Sequence, residues 1–199
     1  MNEPLLFTPI TIRGVTFKNR VIIAPMATYS AVDGIAQDFH FAHWGRLVLG
    51  GAGCVFVEAT AVTDQGRITN GDLGIWSAVH VPPLRRIAEF MKAQKVVPGI
   101  QLAHAGRKGS MQQRARLPDA PVPVPFVAED ILQQGRADLI AIAREALVSP
   151  CWAQMAEIAL GRKAFDAMDD WPVQYGWWLK HRERSIEQIR ADEAAARQS

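Results

Sequence analysis

The sequence has little of what marks the specialised protein classes. Among 199 residues there are two cysteines, Cys54 inside an apolar run and Cys151 after Pro150, which make neither a disulfide framework nor a metal site. No apolar run approaches the roughly 18 residues of a membrane span. The opening M-N-E-P-L-L-F-T-P has no basic stretch leading into a long apolar core, so no membrane partner and a cytoplasmic location are expected. The net charge is only +2, and no cluster of lysines and arginines interleaves with aromatics, so nucleic acid is not an expected partner. G-x-S-x-G, G-x-G-x-x-G and metal-ligand clusters are missing as well, which removes common hydrolase, dinucleotide-fold and metalloenzyme signatures.

What remains is an ordinary globular composition, 49% hydrophobic and 21% charged, with material for one core and one domain over 1–199. The stretch that organises it is 20–30, R-V-I-I-A-P-M-A-T-Y-S. Val21, Ile22 and Ile23 form a β-branched run suited to a strand buried on both faces of a parallel sheet, and Pro25 ends it. In barrels of parallel strands the chemistry sits at the C-terminal strand ends, which points to Pro25, Met26, Ala27, Thr28 and Tyr29.

Along the chain, 10–17 alternates around Gly14 as a short hairpin. A helix is predicted over 39–49, ending at Gly50-Gly51, and a second buried strand over 54–62 with Glu58 near its end. The stretch 63–80 reads as a long loop, 82–94 as a helix opening on proline, and 96–102 as a third strand. The alternation implies βαβ units with parallel strands. Residues 103–125 break the rhythm. Then come a helix over 127–134 closed by Gly135, a fourth strand over 138–142, a helix over 151–160, and a mixed-charge helix from Gln174 carrying Trp177 and Trp178.

The segment L-F-T-P-I-T-I-R-G-V-T-F-K-N-R followed by R-V-I-I-A-P-M, together with G-I-Q-L-A-H-A-G-R-K at 99–108, resembles the Old Yellow Enzyme family of FMN-dependent ene reductases. The similarity is closest to the bacterial branch that includes YqjM and xenobiotic reductase. It covers 6–110, matching the family's first three barrel strands, and 127–175, matching its last helix, strand and C-terminus. A (β/α)₈ barrel takes about 250 residues and eight strands; only four core strands are found here. The resemblance therefore implies an α/β, TIM-barrel-derived half-barrel with strands equivalent to 1, 2, 3 and 8, in spatial order eight, one, two, three. The parts are 1–111, a seam at 112–126, and 127–199. Unpaired edges on the outer strands make a homo-oligomer the expected assembly.

The same resemblance assigns Ala24, Pro25, Met26 and Ala27 to the flavin ring, although a strand-ending A-P turn needs no ligand. Ala27 stands where relatives often have cysteine or threonine. Gln101 offers a donor and an acceptor, which suits the C=O and N–H edge of a flavin pyrimidine; a glutamine satisfied by loop backbone is the alternative. Ala59 matches a residue whose backbone faces that edge. Arg144, after Ala143, matches the arginine on the FMN phosphate, where a guanidinium binds bidentately; pairing with Glu145 or Asp138 is the alternative. Ala143 replaces a common glycine. Tyr29 matches a substrate-side tyrosine, and Trp177 or Trp178 a tail residue that reaches an active site, in some relatives a neighbour's; an aromatic helix face packed as core or dimer contact is the other reading. His104 and Arg107 read as loop anchors.

The resemblance implies FMN as cofactor, NAD(P)H as hydride donor and an enone or enal as substrate. The residues that would polarise and protonate that substrate are lacking: after Ser110 there is no H-x-x-H or H-x-x-N followed by tyrosine. No catalytic residue is assigned. A non-catalytic flavin-binding or oligomerising remnant stands beside the enzyme reading.

Overall fold

A computed structural model describes residues 4–109, 124–162 and 168–196. The expected seam at 112–126 falls outside them apart from 124–126. The first element after a single 3-10 turn is a hairpin, β1 (Ile10–Ile12) against β2 (Val15–Phe17), with Arg13 and Gly14 at positive φ in its turn. The main sheet contains β3 (Val21–Ile23), β4 (Cys54–Ala61), β5 (Leu73–Gly74), β6 (Val97–Ala103) and β7 (Ile140–Ile142), every pairing parallel. The order β7-β3-β4-β6 has the strand near 140 beside the strand near 21, as the sequence led one to expect.

The crossovers into β4 and β6 are helical. Helix α1 (Asp38–Val48) joins β3 to β4 and α2 (Val81–Ala93) leads into β6. Beyond the undescribed stretch, α3 (Pro125–Gln133) precedes β7, followed by α4 (Arg144–Val148), α5 (Trp152–Ala159) and α6 (Val173–Ala196). Among the described residues no helix is long and apolar enough to cross a membrane.

The β-branched strand residues meet the apolar stripes of the helices in one core. Val21, Ile23, Val55 and Val57 lie under Trp44, Leu47, Ile87 and Met91, with Ile142, Leu132 and Trp152 on the β7 side. Phe41 and Phe90 join α1 to α2 with ring centroids 5.4 Å apart. The two ends of the chain's ordered core are tied by α3: both Glu129 carboxylate oxygens accept backbone N–H groups, from Leu5 and Leu6, at 2.8 Å. Gly50 makes a different long-range junction, since a Cβ there would lie 1.7 Å from the Pro150 carbonyl oxygen ahead of α5.

Three elements differ from expectation. The stretch 63–80 is more than a loop: it holds β5 and the 3-10 turns Asp64–Gly66 and Ala78–His80. A two-residue strand leaves no periodic pattern to detect, and β5 adds a fifth strand. Helix α4 follows β7 directly, where only the end of a strand was predicted. Helix α3 starts two residues earlier than expected because Pro125 occupies its first turn, where a missing N–H costs nothing.

Candidate functional site at the C-terminal strand ends

Parallel pairing brings the C-terminal ends of β3, β4, β6 and β7 to one rim. Ile23 is in register with Val55 on one side and Ile142 on the other, and the Ala24 N–H continues the β7 ladder by donating to the Ile142 carbonyl at 2.8 Å. The rim thus has Ala24 beside Ala143 and Arg144. β4 and β6 run further, so Ala59 and Gln101 are direct neighbours in the adjacent ladder. Ala24, Pro25, Met26, Ala59, Ala143 and Arg144 are half-buried, while Ala27 and Gln101 are exposed. The rim is walled mostly by small side chains.

On the β3 side of β4 the partners change along the strand. Cys54 and Val55 pair with β3, Thr60 and Ala61 with β5. Between these pairings the β4–β6 register shifts from Val57 to Ala59, which leaves Glu58 as the extra residue of a bulge. Bulges re-aim side chains and recur beside functional sites. Here the bulge turns a carboxylate that is only 1% exposed toward the β3 loop and α1.

The Thr28 N–H and hydroxyl both donate to Glu58, the hydroxyl at 3.0 Å. His40 Nε2 lies 3.3 Å from Oε1, off the hydrogen-bond line. His40 Nδ1 accepts the Gln37 N–H at 3.0 Å as part of the helix cap, which puts the ring proton on Nε2, facing the carboxylate. A buried carboxylate needs such partners. Sequence reading noted Glu58 only by position; an acid inside the apolar run C-V-F-V-E-A-T-A-V was the signal that it must be paired.

The loops above the rim are laced together. Ala31 N–H donates to the Gly71 carbonyl and Gly74 N–H to the Gly34 carbonyl, both at 2.9 Å. Gly34 has φ +77° and lies against Trp76, whose ring would be struck by any Cβ there. Trp76 in turn packs on His80, centroids 4.4 Å apart. His104 Nδ1 accepts the Gly106 N–H at 3.1 Å, the loop-anchor role expected of it.

Tyr29 is half-buried with φ +54°, a left-handed conformation rare for a bulky residue. Trp178 is exposed on α6 and is not brought to the rim of its own chain; nothing of the Trp177 side chain lies within the described features. His43 is half-buried beside this region, its Nε2 enclosed without a hydrogen bond, and burial, helped by Arg46, lowers its pKa below the ordinary 6.5 against the opposing pull of Glu58. Burial pushes the Cys54 thiol up to about 12 and raises Cys151, so neither is a thiolate nucleophile near neutral pH. A cleft of about 490 Å³ opens at the opposite, N-terminal end of the strands, lined by Lys18, Asn19, Gly51, Lys95, Gln154 and Arg162 among others. None of the predicted site residues lines it.

Comparison with known proteins decides the family. The model of the NADH:flavin oxidoreductase / NADH oxidase family matches residues 5–129. The chain belongs to this family. It is the Old Yellow Enzyme family that the sequence resembles. The NADH:flavin oxidoreductase FG08077 of Gibberella zeae is 53% identical over 105 residues, 53% of this chain and 25% of that protein. The NADPH dehydrogenase of Bacillus velezensis is 48% identical over 123 residues, 61% of this chain and 36% of its own length. A solved 2-naphthoyl-CoA reductase with 2-naphthoyl-CoA superposes with a TM-score of 0.51 at 25% identity, covering 53% of this chain and 16% of that one. The chain thus spans between about a quarter and just over a third of the length of these curated relatives.

Proposed function

We propose that the rim binds FMN and that the chain passes hydride from NAD(P)H through it, as an ene reductase of reduced competence. The single observation behind this is that family membership over 5–129 coincides with a sheet whose parallel order gathers Ala24 to Ala27, Ala59, Gln101, Ala143 and Arg144 at one end. The residues fit the group: small side chains leave room against a flat ring, Gln101 presents an amide with both hydrogen-bond polarities, and Arg144 supplies a cation.

In this reading Ala24, Pro25, Met26 and Ala27 lie along the ring. The Ala59 backbone and the Gln101 amide address its pyrimidine edge, and Arg144 grips the phosphate. FMN, when bound, supplies the two-electron hydride chemistry. Ala27 offers the ring no hydrogen bond, so the flavin potential is tuned differently from that of relatives with a polar group there. Tyr29 lies on the substrate side. Trp177 or Trp178 serves a neighbouring subunit in a homo-oligomer, since β6 and β7 each pair with one strand only among the described residues. The sheet is then half of a (β/α)₈ barrel, with β3, β4, β6 and β7 as strands one, two, three and eight. Light scattering at micromolar concentration should report a dimer or larger; a monodisperse monomer would count against the assembly.

The lack of a later H-x-x-H or H-x-x-N with tyrosine favours a second reading, flavin binding without enone turnover. Losing a positioned donor costs about 10² to 10³ in rate and losing general acid catalysis about 10² to 10⁴. NAD(P)H oxidation by O₂ needs mainly an open ring face. Both activities should be assayed on one preparation with free FMN as blank. The expected result is measurable NAD(P)H oxidation and cyclohexenone reduction near background. Enone turnover equal to a full-length relative's would show that groups on this chain have replaced the missing ones, and an FMN-free, colourless protein would end the flavin reading.

A further inference from the structure

We propose that Glu58 is the positioning residue of the rim: through Thr28 it fixes the left-handed turn at Tyr29 and so aims the β3 loop. The proposal rests on the flavin reading only for what the loop is aimed at. A non-glycine residue in the left-handed region is strained and persists where its surroundings over-determine it. Tyr29 at φ +54° is such a residue. Contacts one residue away on either side help to hold it. Thr28 gives Glu58 its N–H and its hydroxyl, and Ser30 Oγ donates back to the Thr28 carbonyl at 3.0 Å.

Glu58 is suited to the task by its place. It is the extra residue of the β4 bulge, one position before Ala59, so the same irregularity that aims the carboxylate at Thr28 sets Ala59 against Gln101. His40, 0% exposed, brings its Nε2 N–H to within 3.3 Å of Oε1, the oxygen that also accepts the Thr28 hydroxyl. The β3 loop and the ends of β4 and β6 are therefore registered to each other by one side chain. Glutamine cannot replace it: with its oxygen in the place of Oε1 its NH₂ meets the Thr28 N–H, and with its oxygen in the place of Oε2 its NH₂ faces the His40 N–H, donor against donor either way.

The test uses the full chain and Glu58→Gln, which keeps size and folding, beside Thr28→Val and Thr28→Ser. Hydrogen exchange without flavin should show the amides of 28–30 opening about tenfold faster in Glu58→Gln, with β6 and the first half of β4 unchanged. Thr28→Val should give a smaller acceleration, and Thr28→Ser, which keeps the hydroxyl, should restore protection. FMN titrated into the same proteins should bind about tenfold more weakly to Glu58→Gln and normally to Thr28→Ser. Unchanged exchange at 28–30, or an acceleration spread evenly through β4 and β6, would overturn the positioning role. A wild-type chain that binds no FMN, together with the local acceleration in Glu58→Gln, would keep the clamp and reject the flavin reading, so the two failures are told apart.

Discussion

The two ladders that carry the rim are built to different depths. β4 and β6 pair from Cys54 with Val97 to Ala61 with Ala103, their register shifting at a bulge, whereas β3 and β7 share three pairs. At the top of the long ladder stand Ala59 and Gln101, with the β3 loop fastened to Glu58 beside them. The short ladder ends at Ile142, and after Ala143 the chain turns into the five-residue α4 that begins with Arg144. In the proposed flavin reading, the difference separates the candidate site into a ring side with deep support and a phosphate side that depends on one short strand. A site can keep its contacts to a flat ring while its grip on the charged tail is weak.

The largest effect that would sharpen this contrast is loss of β7. Ile142 is 1% exposed and pairs with Ile23. Ile142→Ala should cost about 3 kcal/mol in urea unfolding, as buried isoleucine truncations do. Amide protection should fall first in β7 and α4 and last in the β4–β6 ladder. A loss below about 0.5 kcal/mol, the scale of a surface change, would mean that β7 is not docked as described. Next in size, Arg144→Ala should weaken FMN binding by about 2 kcal/mol in a fluorescence-quench titration, and lysine should rescue only part of it. Unchanged affinity would remove Arg144 from the site and leave the phosphate side without a cation.

A smaller effect probes the ring side through His43. Its folded pKa is lowered, chiefly by burial, so the unfolded chain takes up a proton that the folded one refuses. Stability from this group is present above pH 6.5 and declines as pH falls from 6.5 toward the lower folded value. The melting temperature should therefore drop between about pH 7.5 and about pH 5.5, and drop less in His43→Phe. An identical slope in the variant would place the acid sensitivity elsewhere.

Much of the fold was legible because buried parallel strands write themselves as unbroken β-branched runs, as in V-I-I and C-V-F-V, with amphipathic helices between them. The order of the strands needed more than periodicity, since nothing local says that 140 lies beside 21; the resemblance supplied it. What was not legible was short or non-local. β5 is two residues long, and α4 has no room for a repeat. The Glu58 network joins residues 30 apart in sequence, Thr28 to Glu58, with His40 between them on a helix. An acid in an apolar strand announces that partners exist but does not name them. Tyr29 was singled out by likeness, while its left-handed backbone is visible only in three dimensions.

The pairing of β3 with β7 also bears on how the molecule comes into being. Residues at the base of β3 and β4, such as Asn19 and Gly51, meet across 32 residues, whereas Arg20 reaches the Asp138 carbonyl across 118. Contacts between segments far apart in sequence form slowly, because the intervening chain must first be brought to heel. Since synthesis runs from the N-terminus, β3, β4 and β6 can assemble on α1 and α2 while 140–142 is still unmade. For that interval one face of the sheet and the flank of β3 wait uncovered, and the late arrival of fewer than a dozen residues around β7 closes them. The flank of β3 therefore stays open until β7 is made, and the time during which the young chain is open to wrong partners there is set by how soon that strand is reached.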